Sequence, residues 1–180
     1  MNKYQNEADI LRWIPAKDGA GNYYELRDDN RVLSTLRFSP KPAVTWGYTD
    51  RRHATADAGS ARWEFWITRK GFLGSLGLRA TVHVTGSHAG EIAAGAFFFN
   101  GMLQLDHGRC FKWSGGATEG SNSKFLDEGE RVLIIFSSGS IFDKVNAYVE
   151  VQPEGLAVSE CPLLLALGLY LRLAMNKVYR

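Results

Sequence analysis

The chain has 180 residues, of which 21 are lysine or arginine and 19 are aspartate or glutamate, so its formal net charge at pH 7 is +2. A chain of this length buries about 70% of the surface that its unfolded form exposes, which is enough for one domain without a metal or disulfide. Both signs of charge are spread along the chain, which argues against nucleic acid as a partner. We predict a single domain over residues 10–180, preceded by a loose polar tail at 1–9.

The cysteines and the first residues bear on the compartment. Cys110 and Cys161 have neither the repeated spacing of a zinc site nor the number needed for a disulfide framework. The first thirty residues hold no apolar run of signal-peptide length and too many acidic residues for a transit peptide. We therefore expect a cytoplasmic protein. A peripheral position at a membrane is a second location compatible with these features.

Strand-like alternation dominates the middle of the chain. From Tyr23 to Val151 apolar residues recur at every second position, the period of strands with one buried and one solvent-facing side. In LRATVHV (78–84), for example, Val82 and Val84 face inward and His83 faces solvent. Turn residues separate the runs at 28–30, 70–71, 100–101 and 128–129. The pattern predicts about a dozen short strands joined as a meander.

The last twenty residues are the most apolar part of the chain. Pro162 suits a first helical position, and Ser159 and Glu160 bring a hydroxyl and an acid to the positive end of a helix that starts there. The apolar run Leu163–Leu171 is ended by Arg172 and is too short to cross a bilayer, which takes about 20 residues. Because the run is apolar on every face, we predict a helix surrounded by protein and no transmembrane segment.

The width of this helix constrains the sheet around it. A helix with its side chains is about 10–12 Å across, too wide for the filled interior of an eight-stranded barrel. The predicted fold class is therefore mainly β, a closed barrel of about twelve strands around a buried apolar C-terminal helix. Gly168 lets one wall approach the helix closely. We expect the helix to pack through Leu164, Leu167 and Leu171 against inward-facing strand residues, among them Trp63, Phe65, Val82, Ile134 and Val149.

Four segments carry a family resemblance. They are YYELRDDNRVLSTLRF (23–38), GEIAAGAFFFNGMLQL (90–105), FLDEGERVLIIF (125–136) and PLLLALGLYLRLAM (162–175). Together they resemble the tubby, phospholipid scramblase and LURP-one-related superfamily over about Trp13–Arg180. The resemblance implies a tubby-like barrel around a buried C-terminal helix. Members of the family are linked to phosphoinositide binding at membranes, to lipid movement between leaflets, or to no established activity. With five prolines and two cysteines, the chain departs from the proline-rich leader and cysteine cluster of scramblase relatives, so we do not expect lipid-anchored scrambling.

Several stretches of the chain contain residue types that can carry out chemistry or bind metals. Asp106, His107 and Cys110 in LDHGRC combine the residue types of a nucleophile site, but alternation turns Asp106 outward and favours an ordinary hairpin turn. The glycine-rich stretches GFLGSLG (71–77) and SGGATEG (114–120) lack the Gly-Lys-Ser/Thr ending of a phosphate loop. The other histidines have no second ligand at a metal spacing; they are His53, His83 and His88. We predict no catalytic residue, no metal site and no cofactor.

Two basic pairs remain as candidate binding residues, Arg51 with Arg52 and Arg69 with Lys70. If they share one rim of the barrel, each attracts an anionic lipid surface by about 1 kcal/mol. The alternative is ordinary solvated loop charge, offset in part by the nearby Asp50 and Asp57.

The resulting hypothesis is a non-catalytic binding module that docks on anionic lipid or phosphoinositide headgroups. A protein-interaction or scaffold domain that uses an open strand edge or an exposed aromatic patch is the alternative. A small-ligand carrier or an enzyme is less favoured, because the helix would fill the cavity that a carrier needs.

Overall fold

A computed structural model of the chain describes residues 10–29, 31–39, 53–70, 79–94, 100–115, 122–138 and 147–176. These residues form twelve β-strands followed by two helices. The strands are β1 (Leu11–Asp18), β2 (Gly21–Arg27), β3 (Val32–Phe38), β4 (Ala54–Ala58), β5 (Ala61–Lys70), β6 (Arg79–Gly86), β7 (Gly90–Ala94), β8 (Asn100–Leu105), β9 (Cys110–Ser114), β10 (Ser123–Leu126), β11 (Val132–Ser138) and β12 (Ala147–Val151). The helices are α1 (Pro153–Leu156) and α2 (Cys161–Asn176).

The described strands form one closed antiparallel barrel, as the sequence predicts. Each strand pairs with its neighbours in chain order, and β1 closes the barrel against β12. At the closure Leu11 pairs with Val149 and Trp13 with Ala147. Because a closed barrel pairs every strand on both sides, the twelve described strands leave no open edge for another chain to extend. The scaffold alternative that uses an open strand edge therefore has no support in the described barrel.

The alternating strand directions give the barrel two distinct rims. At the rim that we call the lower rim, β12 ends, α1 lies and α2 begins, and the strands are joined by short turns such as 59–60 and 106–109. At the opposite rim, the upper rim, α2 ends and β3 and β5 finish at Phe38 and Lys70. The two rims therefore differ in both their connections and the end of α2 that they meet.

Helix α2 lies inside the barrel. Leu164, Leu167 and Leu171 are each 0% exposed, and the strand residues predicted to face the helix are all buried as well. The helix is thus enclosed by the chain's own sheet, as its all-round apolar character predicts. Within the described chain, no helix combines the length and the apolar character that crossing a bilayer requires.

Aromatic side chains fill the space between α2 and the strands. The ring of Tyr170 stacks on Phe38 at a centroid distance of 5.8 Å and packs on Phe65 at 5.2 Å. Trp113 packs on Phe125 at 4.8 Å on another part of the wall. Since helix and rings occupy the interior, a ligand of this barrel would have to bind at a rim or on the outer wall.

Gly168 sits where α2 approaches the sheet most closely. A Cβ atom at this position would lie 2.1 Å from the ring of Phe136, which is itself fully buried. We expect Gly168→Ala to lower the free energy of unfolding by about 1–3 kcal/mol through overpacking, although alanine favours a helix by about 1 kcal/mol. Urea unfolding followed by circular dichroism measures the change.

The matched control is Gly19→Ala in the turn between β1 and β2. Nothing lies within 4 Å of a Cβ atom at Gly19, so this variant is expected to stay within about 0.5 kcal/mol of the parent chain. Equal stability of both variants would contradict the close approach of α2 to β11.

Some predicted boundaries were wrong. Asn100 and Gly101, predicted as a turn, are the first residues of β8 and pair with Ser114 and Trp113, because cross-strand pairing overrides their local turn preference. Strands begin at Leu11 instead of Tyr23, and α2 begins at 161 instead of 162. Residues 28–29 and 128–129 of the predicted turns do lie between strands, whereas the predicted tail at 1–9 and residues 30 and 71 lie outside the described residues.

Candidate functional site

The second predicted basic pair lies at the upper rim. Arg69 and Lys70 are the last residues of β5. Lys70 is the register partner of Arg79, the first residue of β6, and Arg69 is the partner of Ala80. The end of this hairpin therefore joins a third basic residue, Arg79, to the predicted pair. Only the strand register shows that Arg79 is the partner of Lys70, and this register depends on where the loop between β5 and β6 ends.

The first predicted basic pair, Arg51 and Arg52, lies outside the described residues. The connection that carries it leaves β3 after Ser39 and returns at His53, and the backbone N–H of Ser39 donates to the His53 carbonyl at 2.9 Å. Both of these residues lie at the upper rim, because β3 ends and β4 begins there. β4 is also the neighbour of β5 in the barrel. The connection therefore starts and finishes at the rim where Arg69 and Lys70 lie.

The basic pairs would be ordinary solvated loop residues if nearby acidic side chains neutralised their charge. Of the two acids predicted to offset them, Asp50 lies outside the described residues. Asp57 lies towards the other end of β4 and is 3.8 Å from the Arg62 guanidinium. Other arginines on the described surface of the barrel and its turns also lie within salt-bridge distance of an acid; the pairs are Arg12–Asp29, Arg27–Glu25, Arg31–Asp28, Arg37–Asp18 and Arg131–Asp127. At the upper end of the β5–β6 hairpin, strand register pairs two basic positions, Lys70 and Arg79.

Arg172 adds a buried cation just inside the upper rim. Its Nη1 donates to Ser123 Oγ at 2.9 Å and to the Phe136 carbonyl at 3.2 Å, and its Nη2 donates to Ser138 Oγ at 2.9 Å. Ser123 and Ser138 are the upper-rim residues of β10 and β11. Burial lowers the pKa of Arg172, yet arginine stays charged in proteins because its ordinary pKa is so high. The residue that ends the apolar run in the sequence is thus buried within the barrel.

A second polar group, the Glu160 cluster, closes the lower rim. It consists of Glu160, which is 1% exposed, with His107, Arg109 and Ser159. Glu160 Oε1 lies 2.9 Å from His107 Nε2, and Oε2 accepts bonds from Arg109 Nη1 at 2.8 Å and Ser159 Oγ at 2.9 Å. Burial raises the pKa of Glu160, but the hydrogen bonds outweigh it and leave that pKa below its ordinary value. The cluster fastens the β8–β9 turn to the start of α2.

The residues of LDHGRC do not assemble into a nucleophile site. His107 contacts Glu160, and its ring lies 5.8 Å from that of His88. The Cys110 thiol instead faces the carbonyl of Gly108 at 3.9 Å. The hairpin turn that the alternation favoured is the structure found, but the bond to Glu160 was missed because its partners are 53 residues apart.

Neither the cysteines nor the histidines form a metal centre in the described chain. Cys110 and Cys161 are both free thiols, and burial raises the pKa of Cys161 to about 11, which keeps it protonated and unreactive. Among the residues described, no three His, Cys, Asp or Glu side chains lie close enough together to hold a metal ion.

Comparison with known proteins found no significant match to a family model, a curated protein or a solved structure. The resemblance to the tubby, phospholipid scramblase and LURP-one-related superfamily therefore stays a prediction. The support for the candidate site is the position of Arg69, Lys70 and Arg79 at the upper rim.

Proposed function

We propose that the chain is a non-catalytic binding module that docks on anionic lipid or phosphoinositide headgroups through its upper rim. The observation that carries the proposal is the pairing of Lys70 with Arg79 beside Arg69 at the end of the β5–β6 hairpin. Strand register thus brings three basic positions to one rim, and each basic residue near an anionic membrane adds about 1 kcal/mol of attraction.

The filled interior supports docking at a surface. Helix α2 occupies the space in which a barrel of this type would carry a ligand, since Leu164 and Leu167 are fully buried against the strands. Headgroups also need no deep cavity, because basic side chains at a rim reach them from one side.

The Glu160 cluster argues against the lower rim as the docking site. There the cation of Arg109 is matched by the buried Glu160 carboxylate at 2.8 Å, so its charge is already compensated within the fold.

Vesicle sedimentation with the variant Arg69→Glu/Lys70→Glu tests the proposal. Removing two attractive charges costs about 2 kcal/mol, so binding to phosphatidylcholine vesicles that contain phosphoinositide is expected to weaken by at least about tenfold. Raising the salt concentration should weaken the parent chain in the same direction.

The matched control reverses two arginines on short turns of the lower rim, Arg31→Glu/Arg131→Glu. Their side chains are 75% and 70% exposed, and their salt bridges to nearby acids contribute little. This variant has the same net charge as the test variant and is expected to bind as the parent chain does. Equal weakening of both variants, or no vesicle binding by the parent chain, would contradict docking through the upper rim.

A protein-interaction module is the second candidate, and exposed apolar side chains at the lower rim favour it. Leu156 is 72% exposed, Ile10 57% and Val32 44%, and all three lie at that rim. Large exposed apolar groups on one side of a protein are typical of a contact surface. A stable dimer on sizing chromatography, lost in Leu156→Ser, together with no vesicle binding would favour this function over lipid docking.

A further inference from the structure

The outer wall carries a third polar group, which takes no part in packing α2. It spans β5, β6 and β7 and consists of Thr68, His83 and Glu91. Thr68 Oγ1 lies 2.9 Å from His83 Nε2, and His83 Nδ1 lies 2.7 Å from Glu91 Oε1. The indole of Trp66 stacks on the imidazole, with ring centroids 5.2 Å apart and planes 15° from parallel. We call these four residues the His83 relay.

Strand register assembles the relay. Trp66 pairs with His83, and His83 pairs with Glu91, so the three lie side by side across the wall. Thr68 follows Trp66 by two positions on β5 and therefore shares its face. The alternation in LRATVHV predicts that His83 faces outward, but the neighbours that it meets depend on the pairing of three strands.

The bond directions in the relay follow from the chemistry of its groups. An ionised carboxylate only accepts hydrogen bonds, so His83 Nδ1 carries the hydrogen that it donates to Glu91. In the neutral imidazole Nε2 then has no hydrogen and accepts, so the Thr68 hydroxyl donates to it. A hydroxyl that donates to an imidazole oriented by a carboxylate is the arrangement that activates oxygen nucleophiles.

A second set of hydroxyl, imidazole and carboxylate groups, Ser39, His53 and Glu64, differs from the relay in its distances and in the nitrogens that it uses. Ser39 Oγ lies 2.9 Å from His53 Nδ1, but His53 Nε2 is 3.4 Å from Glu64 Oε2. At that distance the carboxylate holds the imidazole hydrogen only weakly. In His53 the hydroxyl contacts Nδ1 and the carboxylate contacts Nε2, the reverse of the arrangement at His83. The Ser39–His53–Glu64 contacts therefore do not favour the same imidazole tautomer. Ser39 therefore serves as an internal comparison for Thr68.

We propose that Thr68 is an acyl-acceptor site that reacts with activated esters and thioesters. Thr68 Oγ1 attacks the acyl carbonyl carbon and forms a C–O bond while its proton passes to His83 Nε2. The bond from the carbonyl carbon to the leaving oxygen or sulfur breaks, and its electron pair leaves with that atom. The proton on Nε2 then passes to the leaving group or to water, which regenerates the imidazole beside an O-acyl threonine.

The relay is open to an acyl donor from solution. The His83 side chain is 22% exposed and that of Glu91 is 63% exposed, while Thr68 is partly buried. Trp66 covers one face of the imidazole and limits its rotation, which keeps Nε2 directed at Thr68. The relay therefore faces the outer wall, and a donor can reach it without disturbing the filled interior.

Acetylation by p-nitrophenyl acetate, mapped by peptide mass spectrometry on the full chain, tests this proposal. General-base assistance is worth about 10²–10⁴ in rate, so Thr68 is expected to acetylate at least about tenfold faster than Thr81. Thr81 is the register partner of Thr68, and in the described chain no imidazole nitrogen bonds its hydroxyl. Release of the label by hydroxylamine distinguishes an ester on threonine from an amide on lysine.

Variants separate the roles within the relay. Thr68→Ser is expected to keep the labelling, Thr68→Val to remove it, and His83→Gln to reduce it at least about tenfold. In the parent chain, ¹⁵N spectroscopy of neutral His83 should find the hydrogen on Nδ1, a readout that does not depend on reactivity. Labelling of Thr68 no faster than that of Thr81 or Ser39, unchanged labelling in His83→Gln, or a hydrogen on Nε2 would each overturn the proposal.

Discussion

The variant Leu167→Arg is expected to lose the cooperative fold at 25 °C. Leu167 is 0% exposed at the middle of α2, so the substitution buries an unpaired guanidinium among apolar side chains. Burying such a charge costs several kcal/mol, and domains are stable by about 5–15 kcal/mol in total. We expect a loss of at least about 4 kcal/mol, measured by urea unfolding with tryptophan fluorescence.

The same substitution at Leu156 is the control, because that side chain is 72% exposed on α1. Leu156→Arg is expected to change the free energy of unfolding by no more than about 0.5 kcal/mol. A parent-like urea midpoint for Leu167→Arg would show that α2 does not lie inside the barrel, and the assignment of ligand contacts to the rims and the wall would have to be abandoned.

The second large effect is expected at the Glu160 cluster and depends on which partner is removed. Arg109 is 45% exposed on its side chain, whereas Glu160 is 1% exposed. Arg109→Met therefore leaves a buried carboxylate with one partner fewer, and we expect it to cost about 2–3 kcal/mol at neutral pH. Arg131→Met removes an exposed arginine bonded to Asp127 and is expected to cost less than about 1 kcal/mol.

The effect of pH distinguishes a lost ion pair from lost packing at Arg109. The folded-state pKa of Glu160 is lowered, so its carboxylate stabilises the fold above the unfolded-state pKa, and this contribution disappears as the pH falls through the folded-state pKa. Protonation of Glu160 also removes the negative charge that has lost its arginine partner in Arg109→Met. We expect the difference between parent and variant to shrink in acid, and a difference independent of pH would contradict the role of the ion pair.

The candidate site could be predicted in part. Residue types and turn positions were enough to select Arg69 and Lys70 as basic residues at a strand end, and the structure adds Arg79 as the register partner of Lys70. Arg172 was predicted only as the end of the apolar run. Its burial depends on how deeply α2 enters the barrel, and no local pattern around position 172 reports that depth.

The sequence by itself determined the architecture. Alternation in segments such as LRATVHV selects strands, and an apolar run that covers every face of a helix requires a wall around it, which sets the approximate strand number. Both signals come from residues close together in the chain, because a side chain's direction repeats with the local backbone period.

The tertiary structure alone decided the contacts that carry chemistry. Glu160 meets His107 across 53 residues, and Thr68 meets His83 because β5 and β6 pair in one register. Such contacts are fixed by barrel closure and strand register, which arise from the packing of the whole core. A shift of one residue would turn each of these side chains to the other face of the sheet, so their partners follow from the folded barrel and not from the nearby sequence.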